Sequence, residues 1–336
     1  MRIFWDERQR LHAPVHEFFN GTLNPYAEHP GRIDAILKAV GTTEAPADYG
    51  EAPIAQVHPA DYLDLLKTAH ADWRAAGRDG DAIPYTFPVV GRRPLHLSRI
   101  DARLGRYSYD SSTPVTADTW TSAYWNAQTA LSALAAVLDG ERSAFALCRP
   151  PGHHCGADYM GGYCYLNTAA IAAEAAIAAG RSRAAILDID YHHGNGTQDI
   201  FYARGDVFFA SIHADPRTDY PFYWGHADET GEGEGEGANL NLPLARGIGV
   251  QEFEPALDQA LERIAAFAPD LLIVSFGADT YEGDPISYFA LKTEDYPRLA
   301  RRIASCGHPT LILMEGGYAV DALGENVSAF LSGFRI

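Results

Sequence analysis

Five apolar runs, 144–147, 184–187, 207–212, 271–276 and 310–314, punctuate the second half of the chain, and most are continuous rather than alternating. Continuous runs of that length suit parallel strands buried on both faces; a half-solvated strand would alternate apolar and polar residues. Between them lie Ala-rich helical stretches at 167–179, 251–267, 295–305 and 321–331. This repeated alternation predicts a three-layer α/β fold, with helices covering a central parallel sheet. Residues 1–5 begin like a further strand. The segment 85–112 is rich in Pro, Arg and Tyr without a clear period, and it is expected to be a long loop of the kind that serves function or an interface. Residues 231–237 read GEGEGEG. Alternating glutamates would repel a phosphate, and neither G-x-G-x-x-G nor a Lys-Ser/Thr ending is present, so a flexible acidic turn is expected there.

Polar clusters follow the ends of these runs, which is where open α/β sheets place their ligands. Residues 188–195 read Asp-Ile-Asp-Tyr-His-His-Gly-Asn. In an extended chain residues two apart share a side, so Asp188, Asp190 and His192 face together and Asp190 with His192 forms a ligand pair. After 271–276 comes Gly277-Ala278-Asp279, whose carboxylate taken alone would serve equally as a helix N-cap. Added to Asp190 and His192, it completes two carboxylates and one imidazole, with a coordination position left for water. Oxygen and nitrogen donors without thiolate fit Zn2+, and Fe2+ or Co2+ is chemically allowed. The third cluster, Arg149-Pro150-Pro151-Gly152-His153-His154-Cys155, puts tandem histidines after a turn. Beside a metal site they are candidates for proton transfer, since imidazole is the commonest general acid/base. The fourth is Glu315-Gly316-Gly317-Tyr318, where glycines permit unusual backbone angles and the phenol could either pack or donate to an oxyanion.

A formal charge of -18 over 336 residues makes the nucleic-acid backbone an unfavourable partner and draws cations towards any acidic cleft. The N-terminal residues turn charged at once, with no apolar signal core and no span of about 18 apolar residues, so a soluble cytoplasmic chain is expected. Cys148, Cys155, Cys164 and Cys306 show no C-x-x-C spacing and read as reduced packing thiols.

R-P-P-G-H-H, D-x-D-x-H-H-G-N-G-T-Q and E-G-G-Y, in this order, resemble the arginase/deacetylase superfamily and, within it, the histone deacetylase-like amidohydrolases. Residues 161–165, 199–202 and 284–287 look most like the bacterial acetylpolyamine amidohydrolases. The resemblance runs almost end to end and implies one deacetylase domain over 1–336, with the 85–112 loop inserted near the mouth of the active site and a homodimer interface. It implies zinc on Asp190, His192 and Asp279, His154 as general base and then acid, electrostatic help from His153, and Tyr318 polarising the amide carbonyl. Asp188 would orient His153 and Asn195 would orient His154. An Asn cannot carry charge, so it raises the pKa of His154 less than an Asp would. Structural potassium is implied at the backbone of Asp188, Asp190 and His192 with Ser211, and a second ion near Phe201, Arg204 and Val207. Tyr163 and Tyr220 resemble the walls of a narrow tunnel, with Glu17 and Asp110 as carboxylates near its mouth. Cys155 departs from the Ala usual after the paired histidines, and Ile286 stands where some polyamine-selective relatives carry a glutamate. The reaction implied is hydrolysis of N-acetyl amides of polyamines or short diamines. A protein acetyl-lysine deacetylase is the alternative enzyme, and a non-catalytic acetyl-amine binding protein is the alternative of another class.

Overall fold

The computed structural model describes residues 1–89 and 96–335. Among them nine strands run in chain order: β1 (Arg2–Phe4), β2 (His16–Phe19), β3 (Thr22–Pro25), β4 (Ser143–Ala146), β5 (Ala184–Asp188), β6 (Val207–Ala214), β7 (Asn239–Leu244), β8 (Leu271–Phe276) and β9 (Thr310–Met314). The helices are α1 (Gly31–Val40), α2 (Ala52–Ala55), α3 (Ala60–Ala75), α4 (Ile100–Arg106), α5 (Thr119–Leu138), α6 (Thr168–Ala178), α7 (Asn195–Phe201), α8 (Val250–Phe267), α9 (Tyr296–Ser305) and α10 (Val320–Ser332). β2 and β3 form an antiparallel hairpin; the other seven make one sheet of order β1-β4-β9-β8-β5-β6-β7, parallel at every pairing. The continuous runs therefore became buried parallel strands, as their composition requires: every residue of β4, β5, β6, β8 and β9 is buried. Helices α5 and α6 pack together against the sheet, and α8, α9, α10 and α1 form a second contiguous layer.

Two elements depart from the pattern read along the chain. The expected loop at 85–112 contains α4, because Ile100 and Leu104 lie one turn apart and are buried where the helix packs on α3. Two apolar residues are too short a pattern to register as a helical period. The central part of that loop, 90–95, lies outside the described residues. The second is β7, an edge strand reading NLNLPL, which alternates weakly and tolerates Pro243 because no further strand pairs with it. The GEGEGEG segment is a turn with one short 3-10 helix at Gly233–Gly235. No helix among the described residues is long and apolar enough to cross a membrane.

What the topology does for function is visible in the strand order. β4, β9, β8 and β5 are consecutive neighbours in the sheet, although far apart in sequence. The four polar clusters therefore leave four adjacent strands at their C-terminal ends, and parallel pairing puts those ends on one side.

Candidate active site

Asp190, His192 and Asp279 each offer a ligand atom, and these atoms lie within 4.8 Å of one another. His192 Nδ1 is 3.2 Å from Asp279 Oδ2 and 3.4 Å from Asp190 Oδ1. Backbone donors hold both carboxylates: the Gly316 N–H donates to Asp190 Oδ2 at 2.8 Å and the Tyr191 N–H to Asp279 Oδ1 at 3.0 Å. Asp279 caps no helix. Glycine is required around the pair, since a Cβ on Gly277 would lie 2.1 Å from Asp190 Oδ2 and one on Gly316 2.5 Å from Asp279 Oδ2. Burial and the charge of Asp190 push the Asp279 carboxyl up. Burial would raise Asp190 too, but His153 and His192 outweigh it and hold that carboxyl well below the usual range. Two buried, mutually repelling carboxylates beside an imidazole form a donor set that a divalent cation relieves, so these residues fit the metal.

Asp188, at the end of β5, faces elsewhere than its two neighbours in the motif. Its Oδ2 pairs with His153 Nδ1 at 3.0 Å and its Oδ1 accepts from the Asp190 N–H at 3.1 Å. Burial would lower the His153 imidazole, but Asp188 and Asp190 lift it to about 10. His154, with ring centroid 4.0 Å from that of His153, is pushed well below the ordinary value by burial and then by the charge of its neighbour His153. Its Nδ1 lies 2.7 Å from Asn195 Oδ1. One imidazole is thus charged and fixed, while the other is neutral and free to accept a proton.

Tyr318 leaves β9 after Gly317, which has φ +123. Its N–H donates to Asp284 Oδ2 at 2.7 Å, the Arg32 guanidinium lies 4.9 Å from its ring, and the Tyr163 ring packs edge-on at 5.7 Å. Burial pushes its phenol well above the ordinary value, so it remains a donor. Tyr220 packs edge-on against His154 at 5.2 Å and lies 6.1 Å from the His192 ring. Tyr163 and Tyr220 thus flank Tyr318 and His154 respectively. Ile286 packs with Tyr26, Tyr163 and Tyr318.

The two carboxylates expected near the mouth differ. Glu17, in β2, is buried with no partner for Oε2 among the described residues, and burial raises its carboxyl to about 7 against the opposing effect of the Tyr163 hydroxyl. Asp110 is fully engaged: Oδ1 accepts from the Ser112 N–H, and Oδ2 from the Gly162 N–H and the Tyr220 hydroxyl. Asp188 and Ser211 are register partners between β5 and β6, and Ser211 Oγ is 2.8 Å from His213 Nδ1. Phe201 ends α7, Val207 opens β6, and Arg204 between them pairs with Glu174 and Asp206. Cys155 is buried beside the Tyr62 hydroxyl, and burial raises its thiol, which suits packing rather than reactivity.

Reading motifs left out the support beneath them. Glu28 Oε1 accepts from Arg32 Nη1 at 2.6 Å and from Arg149 Nε at 2.9 Å, all three side chains being buried. Arg32 also donates to the carbonyls of Gly317 and Glu315, and Arg149 to those of Gln9, His12 and Glu28. Glu315 Oε2 accepts from the Gly152 and His153 N–H groups. One buried charge network thus ties the histidine turn to the Tyr318 turn. Only the i,i+4 spacing of Glu28 and Arg32 hinted at it.

Residues 26–334 match the family model described as the histone deacetylase domain. The chain belongs to the histone deacetylase domain family. It is similar to acetylpolyamine amidohydrolase 1 of Pseudomonas aeruginosa, 52% identical over 345 residues that cover 100% of this chain and 99% of that protein. Acetylpolyamine amidohydrolase of Mycoplana ramosa is 44% identical, over 99% of each chain. A crystal structure of acetylpolyamine aminohydrolase from Burkholderia pseudomallei superimposes with a TM-score of 0.94 at 43% identity, covering 99% of this chain and 98% of that one. These matches bear out the family resemblance of the motifs and the three-layer histone deacetylase-type fold with its parallel sheet.

Proposed function

We propose that this family member is a metal-dependent amidohydrolase that removes the terminal acetyl group from acetylated polyamines or short diamines, releasing acetate and a primary amine. The observation that carries the reading is the single constellation of Asp190, His192 and Asp279 beside a neutral, Asn-held His154 and the Tyr318 phenol. Similarity along the whole chain to proteins named acetylpolyamine amidohydrolase supports the substrate class. Held by Asp190, His192 and Asp279, a Zn2+ ion would supply Lewis acidity to the amide carbonyl and to the attacking water; Fe2+ and Co2+ suit the same donors. His154 takes the water proton at Nε2 and passes it to the leaving amine, with Asn195 accepting from Nδ1–H throughout. His153, kept cationic by Asp188, and the Tyr318 hydroxyl favour the negative charge that grows on the carbonyl oxygen. The methylene chain runs between Tyr163 and Tyr220, and the distal ammonium meets Glu17, whose Oε2 lacks a partner among the described residues. Potassium at Asp188, Asp190, His192 and Ser211, and at Phe201, Arg204 and Val207, belongs to the reading through the family. A homodimer does as well, and the exposed Phe18, Phe19 and Leu23 of the hairpin, with Tyr85, Phe87 and Val89, offer an apolar surface for it.

A panel of N-acetylputrescine, N-acetylcadaverine, N-acetylspermidine and acetyl-lysine peptides, given to metal-loaded protein, tests the substrate class. The free acetylated amines are expected to be hydrolysed most efficiently. Protonated Glu17 cannot pair with an ammonium, so KM for the cationic substrates should rise as pH falls through about 7. Glu17→Gln should flatten that rise. Peptides hydrolysed far faster than every free amine would favour a protein lysine deacetylase instead. Binding without turnover of any substrate would favour the binding protein.

A further inference from the structure

We propose that Asp110 is a positioning residue that sets the gap between Tyr163 and Tyr220, rather than a partner of the substrate ammonium; the inference rests on the reading in which the methylene chain runs between those two rings. One carboxylate oxygen reaches both walls. Asp110 Oδ2 accepts from the Gly162 N–H at 2.7 Å, one residue before Tyr163, and from the Tyr220 hydroxyl at 2.8 Å. The Tyr220 hydroxyl has a single proton, which goes to the carboxylate, and its oxygen accepts from the Tyr109 hydroxyl. Asp110 Oδ1 accepts from the Ser112 N–H at 3.1 Å, an Asx turn that fixes the carboxylate against its own backbone.

The wall at Tyr163 needs such a hold. Gly162 and Tyr163 are consecutive residues in the left-handed region, at φ +53 and +67, where a tyrosine Cβ is unfavourable. Both of their N–H groups are taken by the segment 110–113, Gly162 by Asp110 and Tyr163 by Thr113 Oγ1 at 3.0 Å. Backbone bonds lay the start of that segment on the same turn: the Tyr109 N–H donates to the Met160 carbonyl at 3.2 Å, and the Met160 N–H to the Tyr107 carbonyl at 2.8 Å. Space there is tight, since a Cβ on Gly161 would lie 2.2 Å from the Tyr109 ring and one on Gly162 2.2 Å from the His154 ring. Tyr220 packs against the same His154 ring at 5.2 Å, so the clamp sets both walls relative to the residue that handles the proton. Glu17 is built differently, with one carboxylate oxygen lacking a partner among the described residues, and is the acid left to meet a cation.

Steady-state hydrolysis by metal-loaded native protein, Asp110→Ala and Asp110→Asn separates the two roles when N-acetylputrescine is compared with N-pentylacetamide, which matches it in length and carries no charge. Asp110→Ala is expected to lower kcat/KM about tenfold to a hundredfold for both, the scale of a lost hydrogen bond to a charged group. Asp110→Asn can still turn a carbonyl oxygen to Gly162 and Tyr220, and it should lose about fivefold or less on either substrate. Width is read with N-(cyclohexylmethyl)acetamide: the native preference for the slim pentyl chain should shrink about tenfold in Asp110→Ala, a change that general damage to the fold would not produce. Tyr220→Phe, which cuts one arm of the clamp, replaces Asp110→Ala in that comparison if the alanine variant does not fold. A loss confined to N-acetylputrescine, or an unchanged preference, overturns the inference and leaves the proposed function standing. If the native chain hydrolyses none of the three, the functional reading falls, and NMR of ring-labelled tyrosines decides the clamp: Tyr163 and Tyr220 signals unmoved by Asp110→Ala overturn it.

Discussion

Tyr318→Phe should bind as much metal as the native chain and keep its fold, yet hydrolyse N-acetylputrescine on the order of 10² to 10³-fold more slowly, the scale of removing one oxyanion donor. The ring has its own packing, beneath the Arg32 guanidinium and against Tyr163, and phenylalanine preserves both contacts. The hydroxyl makes no hydrogen bond to another described residue, so its removal disturbs nothing else. Its backbone is anchored separately through Asp284. Gly317 just before it sits at positive φ, and a Cβ there would lie 2.8 Å from Leu323 Cδ1. The loss should fall on kcat and kcat/KM together, because the interaction strengthens only as charge develops on the carbonyl oxygen. Turnover within about twofold of native, at equal metal content, would remove Tyr318 from the mechanism.

Glu28→Ala should destabilise the chain by about 3–5 kcal/mol, the cost of removing one partner from a buried ion network. Glu28 stands between two buried guanidinium groups, at 2.6 Å from Arg32 and 2.9 Å from Arg149. Without it, two positive charges remain inside the protein with only carbonyl partners. Activity should fall with stability, since those arginines brace the turns carrying His153, His154 and Tyr318. Chemical unfolding followed by circular dichroism reads the first effect. An unchanged midpoint and slope would show that the network contributes little.

How legible the site was depended on whether chemistry lay in a compact run or in a fold-made neighbourhood. Asp190, His192 and Asp279 could be read because each follows an apolar strand, and the adjacency of β5 and β8 then brings them together. The even spacing of Asp188, Asp190 and His192 suggested one shared side, but β5 ends at Asp188, and the turn beyond it sends Asp188 to His153 and the other two to Asp279. Helix α4 stayed hidden because only Ile100 and Leu104 mark its buried face. Glu28 and Arg32 stayed hidden for a different reason: charged residues read as solvated until packing over hundreds of positions shows that water is excluded.

The central claim is that hydrolysis depends on a cation held by Asp190, His192 and Asp279. Metal-stripped protein, titrated with Zn2+ while N-acetylputrescine turnover is followed, tests it most directly. Turnover is expected to be absent from the stripped protein and to rise in proportion to metal bound, reaching its plateau at one equivalent bound to that trio; Asp279→Ala should fail to regain it. Full turnover by the stripped native chain, or by Asp279→Ala, would contradict the account.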